Sequence, residues 1–256
     1  MKAGLNLYSI RNQISTENDF LNTAVKLKEM GYEYIQFSGA PFNPSLIKKV
    51  KEESGLEVVL THVPYDRIVF DTEKLFTEHA SFGCKNIGLG IIPIDSTKNE
   101  EDWTKKIDEF NLAGEKIAKL GGKLFYHHHF LEFYKLKNGK TIFDYMVENA
   151  PFVNFTLDSY WVQNAGYNPI TFAERLNGRI ECVHLKDYGI KKDESAPVGY
   201  IPNFAPVGHG SLDMKSIIGA WKNCGAKYFL VEQDDATDYA NPFAEIKKSI
   251  DYLKTI

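Results

Sequence analysis

Leu124-Phe125-Tyr126-His127 is an apolar, strand-like run that ends on a metal-binding residue, with His128 and His129 directly behind it. The arrangement returns three times. Val153-Asn154-Phe155-Thr156-Leu157 runs into Asp158, Ile180-Glu181-Cys182-Val183 into His184, and Phe229-Leu230-Val231 into Glu232. One such run means little; four in succession, separated by helical segments, imply parallel strands that deliver their C-terminal residues to one point. In a barrel of β/α units, that end carries the active site. A mixed set of His127, Asp158, His184 and Glu232 suits one divalent ion, such as manganese, zinc, cobalt or iron, with positions left open for substrate oxygens.

Working outward from these runs, the whole chain alternates strand and helix, the pattern of a parallel sheet. Strands are expected at Ala3–Tyr8, Tyr32–Phe37, Leu56–His62 and Lys85–Leu89, before the four already quoted. Helices are expected at Thr16–Met30, Pro44–Ser54, Asp71–Phe82, Glu100–Leu120, Thr141–Asn149, Pro169–Leu176, Asp213–Asn223 and Asn241–Leu253. Gly31, Gly55, Gly83, Gly121 and Gly225 follow helix ends, where glycine tolerates the left-handed turn back into the next strand. Eight β/α units make a (β/α)8 barrel, and no linker or composition break interrupts residues 1–256, so one domain is expected. Tyr188–Ser211, with Pro197, Pro202 and Pro206, reads as a long irregular loop over the strand ends.

Length and composition agree. A chain of 256 residues matches the roughly 250 of such barrels. With 43% hydrophobic and 25% charged residues, the balance is that of a globular protein. A net charge of -4 argues against nucleic-acid binding, which needs a basic surface. Cys84, Cys182 and Cys224 are odd in number and form no CxxC pair, so neither disulfides nor a thiolate zinc site is expected. No leader-like segment opens the chain, and no apolar stretch nears the ~18 residues of a membrane span. The expected location is the cytoplasm. Dinucleotide, phosphate-loop and serine-hydrolase motifs are absent.

Further candidates surround the quartet. Along a strand His127 and His129 share one face and His128 takes the other, so His129 is a second candidate ligand or a catalytic group at the strand tip. His184 and Lys186 share a face by the same rule, which lets Lys186 stabilise an enolate oxygen. The plainer role for Lys186 is an ion pair with Asp187 or another carboxylate, and for Asp158 a helix N-cap. Glu232 is both a ligand and a proton-transfer carboxylate. Asn6, His62, Glu132, Trp161 and His209 are candidate substrate contacts, His209 lying in a turn that leads to a helix. Asp234 and Asp235 read as loop residues or caps.

These residues together resemble the xylose-isomerase-like superfamily of TIM barrels, which includes sugar phosphate isomerases/epimerases, inosose dehydratases and, more distantly, endonuclease IV. Gly4-Leu5-Asn6-Leu7-Tyr8-Ser9-Ile10-Arg11 resembles the opening GxQxYSxR, Tyr126–His129 a YHNH strand, and Glu132-Phe133 its EF. Leu157–Trp161 resembles LDxxW, His184–Asp187 matches HLKD, Val207–Asp213 resembles VGxGxxD, and Val231–Asp234 matches VEQD. The resemblance implies that the ends of strands five to eight hold the metal, here His127, Asp158, His184 and Glu232. Many epimerases of the group carry glutamate where His127 stands, and exchange the proton between two metal-bound glutamates. Relatives also often carry glutamate where this chain has Gln36. The implied activity is a metal-dependent isomerase or epimerase acting on a small ketose or polyol-derived ketone through an enediolate. A dehydratase of the inosose type is the alternative, and a sugar-binding barrel without chemistry is a rival of another class. An endonuclease is disfavoured, because it needs more ligands and a basic groove. Barrels of this kind often form homo-oligomers, although no residue here specifies one.

Overall fold

The computed structural model describes residues 1–256. Ten strands form: β1 (Gly4–Asn6), β2 (Tyr34–Phe37), β3 (Glu57–His62), β4 (Asn86–Leu89), β5 (Lys123–His127), β6 (Val153–Asp158), β7 (Cys182–Leu185), β8 (Asp187–Lys192), β9 (Tyr200–Ala205) and β10 (Tyr228–Val231). All but β8 and β9 close into an eight-stranded barrel in the order β1-β10-β7-β6-β5-β4-β3-β2. Its pairings are all parallel. The expected (β/α)8 TIM barrel is therefore the fold.

The helices are α1 (Glu17–Met30), α2 (Pro44–Ser54), α3 (Tyr65–Phe70), α4 (Thr72–Ser81), α5 (Glu100–Lys119), α6 (Ile142–Asn149), α7 (Ser159–Asn164), α8 (Pro169–Phe172), α9 (Met214–Asn223) and α10 (Pro242–Leu253). Their starts follow local chemistry. Thr16, Asn43, Asn99 and Thr141 each accept a backbone N–H with the side chain, satisfying a donor the helix cannot. Gly31, with φ of 101°, ends α1 in the left-handed conformation that its place in the sequence predicts. No helix is long and apolar enough to cross a membrane.

Besides the short α7, which the sequence reading did not include, the structure departs from that reading at three places. The first strand stops at Asn6, because the Asn6 side chain accepts the Tyr8 amide and starts a 3₁₀ helix over Leu7–Ile14. Tyr8 therefore does not share a strand face with Asn6. Next, α3 precedes the expected helix at α4, starting right after Pro64. Finally, the stretch read as an irregular loop is an antiparallel hairpin of β8 and β9, in which Ile190 pairs with Pro202. A two-stranded ribbon has only edges, where proline's missing N–H is tolerated.

Two layers of packing position the strand ends. A large apolar core fills the space between barrel and helices. A smaller one, built by Tyr34, Val59, Leu60, Phe125, Cys182 and Leu230, plugs the barrel itself. Five plug residues lie two positions before a polar residue at a strand end: Tyr34 before Gln36, Leu60 before His62, Phe125 before His127, Cys182 before His184, Leu230 before Glu232. With a side-chain period of two, a residue that plugs the barrel makes its second neighbour point inward one layer higher.

Candidate metal centre

That upper layer brings the quartet together. His127, Asp158, His184 and Glu232 each offer one ligand atom, and the four atoms lie within 4.8 Å of one another. His127 Nε2 is 3.4 Å from Asp158 Oδ2 and 4.0 Å from Glu232 Oε2. His184 Nδ1 is 2.7 Å from Glu232 Oε2 and 3.9 Å from Asp158 Oδ2. Asp158 and His184 are direct neighbours in the β6–β7 register. All four are buried.

Three of the four residues have a second anchor. Asp158 Oδ1 accepts the Trp161 amide at 2.9 Å and caps α7, leaving Oδ2 for the centre. The N-cap reading of this aspartate holds through one oxygen, and the other is free to face the quartet. Asn6 Nδ2 donates to Glu232 Oε1 at 2.8 Å. His184 Nε2 meets Gln36 Oε1 at 2.7 Å. Such partners fix the orientation of metal-binding side chains.

The electrostatics suit a cation. Lys186 Nζ lies 3.5 Å from Asp158, 3.3 Å from Glu232 and 3.1 Å from Asp234. Three carboxylates around one ammonium leave two negative charges in a buried site, which one dication neutralises. Burial works against a charged Lys186, but Asp158, Glu232 and Asp234 together raise it above its ordinary value. Burial pushes Asp158 up to about 6 against the pull of Lys186. Burial would also raise Glu232, yet Lys186 and then His184 hold it well below the usual carboxylate range. Burial, reinforced by neighbouring histidines, lowers His127 well below the imidazole range. A neutral imidazole is the form that binds metal.

The residues present fit a metal. His184 Nδ1 and Glu232 Oε2 are buried and lack a hydrogen-bond partner, though they face each other at 2.7 Å. Two such atoms converging outside hydrogen-bond geometry are what a shared cation satisfies. The two imidazoles and two carboxylates form a nitrogen–oxygen set suited to manganese, zinc, cobalt or iron.

The other expected residues fall into two groups. His129 stands just beyond β5, its ring 4.6 Å from that of His127 and 5.2 Å from that of Trp161, with Nδ1 buried and unpartnered. Trp161 lies over Lys186, whose Nζ is 5.1 Å from the indole ring, and its own Nε1 is also unpartnered. His62, lowered by burial to about 3, places its ring 5.6 Å from His127 and 5.9 Å from His184. These three line the mouth of the centre. The side chains of Asn6 and Glu132 are taken up by protein partners, and His209 lies apart on an exposed turn. Both ends of the Asn6 amide are engaged, by Glu232 and by Ser38 with the Tyr8 amide. Glu132 is fully buried and bound by the Tyr126 hydroxyl and the His129 amide, so it braces the histidine tip. His209 is exposed on a turn, where its amide donates to Pro206.

Alternation also sorts the neighbours. His128 turns away from the centre, packing against Phe133 and Phe143 and accepting the Asp158 amide at 3.2 Å. Lys186 does not pair with Asp187, which points the other way and accepts the amides of Tyr188, Gly208, Gly210 and Leu212. Three contributors were not assigned from sequence. Gln36 carries a signal, since it stands at a strand end two residues after a plug residue. Asp234 lies beyond its strand and binds Lys186 instead of capping α10, whose cap is Asn241. Phe204, on the hairpin, lies 5.7 Å from Lys186 Nζ and has no local signal.

Comparison with known proteins agrees with the barrel fold. Inosose dehydratase of Clostridium beijerinckii is 26% identical over 94% of this chain and 91% of its own length. The Geobacillus thermodenitrificans protein of the same name is 24% identical, covering 88% and 83%. A sugar phosphate isomerase/epimerase from Parabacteroides distasonis superposes with a TM-score of 0.80 at 22% identity, covering 99% of this chain and 93% of that one. The 3-keto-D-glucoside 4-epimerase of E. coli gives 0.71 at 20% identity, with both chains covered fully (100%). The family model described as xylose isomerase-like TIM barrel matches residues 25–256. With nine-tenths of its length under that match, this chain belongs to the xylose isomerase-like TIM barrel family.

Proposed function

We propose that this chain is a divalent-metal-dependent enzyme that removes the proton beside the carbonyl of a sugar or polyol-derived ketone. One observation carries the reading: four buried strand ends converge one ligand atom each within 4.8 Å, beside a buried lysine. His127, Asp158, His184 and Glu232 would hold the ion. When bound, it would grip a hydroxyl–carbonyl pair and polarise the carbonyl, acidifying the neighbouring C–H.

The residues divide the remaining work. Glu232, held in orientation through Oε1 by Asn6, would take the proton. Lys186, kept charged by three carboxylates, stabilises the enediolate oxygen. His129, with its unpartnered Nδ1, binds a substrate hydroxyl or returns the proton, and His62 and Trp161 hold the sugar. With histidine in place of a second glutamate at β5, Glu232 has no carboxylate opposite to exchange a proton across the ring plane. Transfer on one face, which isomerises, fits this better than epimerisation. Loss of water from the same enediolate is the second reading, favoured by curated relatives named inosose dehydratase.

The test is incubation with ketoses and keto-inositols in D2O, with metal content measured first. Deuterium uptake without loss of water supports the isomerase, and loss of water gives the dehydratase. A fully loaded protein that does neither is a binding barrel. Absence of metal after reloading would remove the mechanism.

A further inference from the structure

Gln36 reaches the centre from the end of β2 and touches two histidines. Its side-chain oxygen lies 2.7 Å from Nε2 of His184, and its side-chain nitrogen 3.1 Å from Nε2 of His62. Gln36 is fully buried, so water does not compete for either contact. A carboxamide has one accepting and one donating end, so these contacts select opposite protonation patterns in two neutral rings. The oxygen accepts from a protonated Nε2 of His184, which leaves Nδ1 of that ring with its lone pair. The nitrogen donates to a bare Nε2 of His62, whose proton then sits on Nδ1. The orientation of the amide follows from the site. A ligand Nδ1 carries no proton, so Nε2 carries it, and the amide must turn its oxygen there.

We propose that Gln36 is a positioning residue that sets two tautomers with one group: it presents His184 Nδ1 to the metal and makes His62 a hydrogen-bond donor through Nδ1. The ligand half rests on the metal reading above. His62 is thereby a group that binds a substrate oxygen, not one that takes a proton from it. Gly90 leaves room on that side of the ring, since a Cβ there would come within 3.1 Å of His62 Nδ1. The departure from glutamate at this position is then a functional choice. A carboxylate would accept from both rings, so His62 would carry its proton on Nε2 and become an acceptor at Nδ1.

The experiment is long-range ¹H–¹⁵N NMR of the histidine rings, with and without zinc, on the wild type, Gln36→Glu and Gln36→Leu. His62→Gln assigns the His62 signals, and a competition titration gives zinc affinity. Wild type is expected to show His62 protonated on Nδ1 and His184 on Nε2. Gln36→Glu, close to isosteric, should move the His62 proton to Nε2 and hold zinc within about threefold of wild type, because His184 keeps its acceptor. Gln36→Leu should weaken zinc about tenfold. The proposal is overturned by His62 protonated on Nε2 in the wild type, or by a tautomer unchanged in Gln36→Glu. Wild-type zinc affinity in a folded Gln36→Leu variant overturns its ligand half while the metal centre stands. A wild type that binds no zinc removes the centre and that half together, and the His62 tautomer, read without zinc, still decides the other.

Discussion

Asn6, on the first strand of the barrel, donates to Glu232, just past the last, at 2.8 Å across 226 residues of sequence. The barrel closes by pairing β1 with β10, so this bond exists only once closure is complete. Folding and the orientation of Glu232 are one event.

Asn6→Ala leaves Glu232 Oε1 without its donor and frees the carboxylate to rotate. Zinc affinity should fall about tenfold, the usual cost of losing a partner of a metal ligand. Calorimetric titration checks this, and an affinity unchanged from wild type would show that the bond orients nothing.

Lys186→Met removes the only ammonium from among Asp158, Glu232 and Asp234. Leaving buried carboxylates uncompensated costs about 3 kcal/mol, so the metal-free variant should melt well below wild type. Zinc supplies the missing charge and should raise its melting temperature by more than it raises that of wild type. Equal shifts in the two proteins would contradict the charge count.

Asp187→Asn should destabilise the protein by about 2 kcal/mol while zinc binding is retained. The carboxylate accepts the Tyr188 amide and three amides of the turn after β9, whereas an amide side chain can offer only one oxygen to them. Urea unfolding at neutral pH measures the loss. A variant as stable as wild type would mean that the turn holds without its anchor.

His79 gives the acid dependence a source remote from the metal ligands. It is fully buried, with Nδ1 donating to Leu75 O and Nε2 accepting from the Thr61 hydroxyl, and burial lowers it to about 4. Its native pKa lies below the unfolded one, so the unfolded chain gains the proton first as pH falls. The stability of neutral His79 is complete above about pH 6.5 and is lost between there and about 4, at about 1.4 kcal/mol per pH unit. His79→Gln should be less stable at pH 7 but flatter with pH across that window. Parallel curves for the two proteins would reject this origin.

The barrel and the quartet were legible in the sequence because one rule, the two-residue period of a strand, produces both. Phe125 fills the barrel, so His127 points into it, and the reading separated His127 from His128 on the same ground. That rule says nothing beyond a strand's end, so Asp234 read as a loop residue although it binds Lys186. The hairpin went unread because its prolines and glycines signal irregularity and its partner lies on the same ribbon. Phe204 was lost with it. Gln36 stood out as a departure from relatives, but its role depends on His62 and His184, which only the closed barrel brings to either side of it.

Asp158 serves the start of α7 with one oxygen and the centre with the other. A related barrel that held no ion would still be kept to aspartate here by the helix alone. Among related chains, survival of this residue is therefore a weak witness to chemistry. The pairing of His184 with Gln36 is a stronger one, since no cap or turn demands it, and drift would erase it first once the ion was given up.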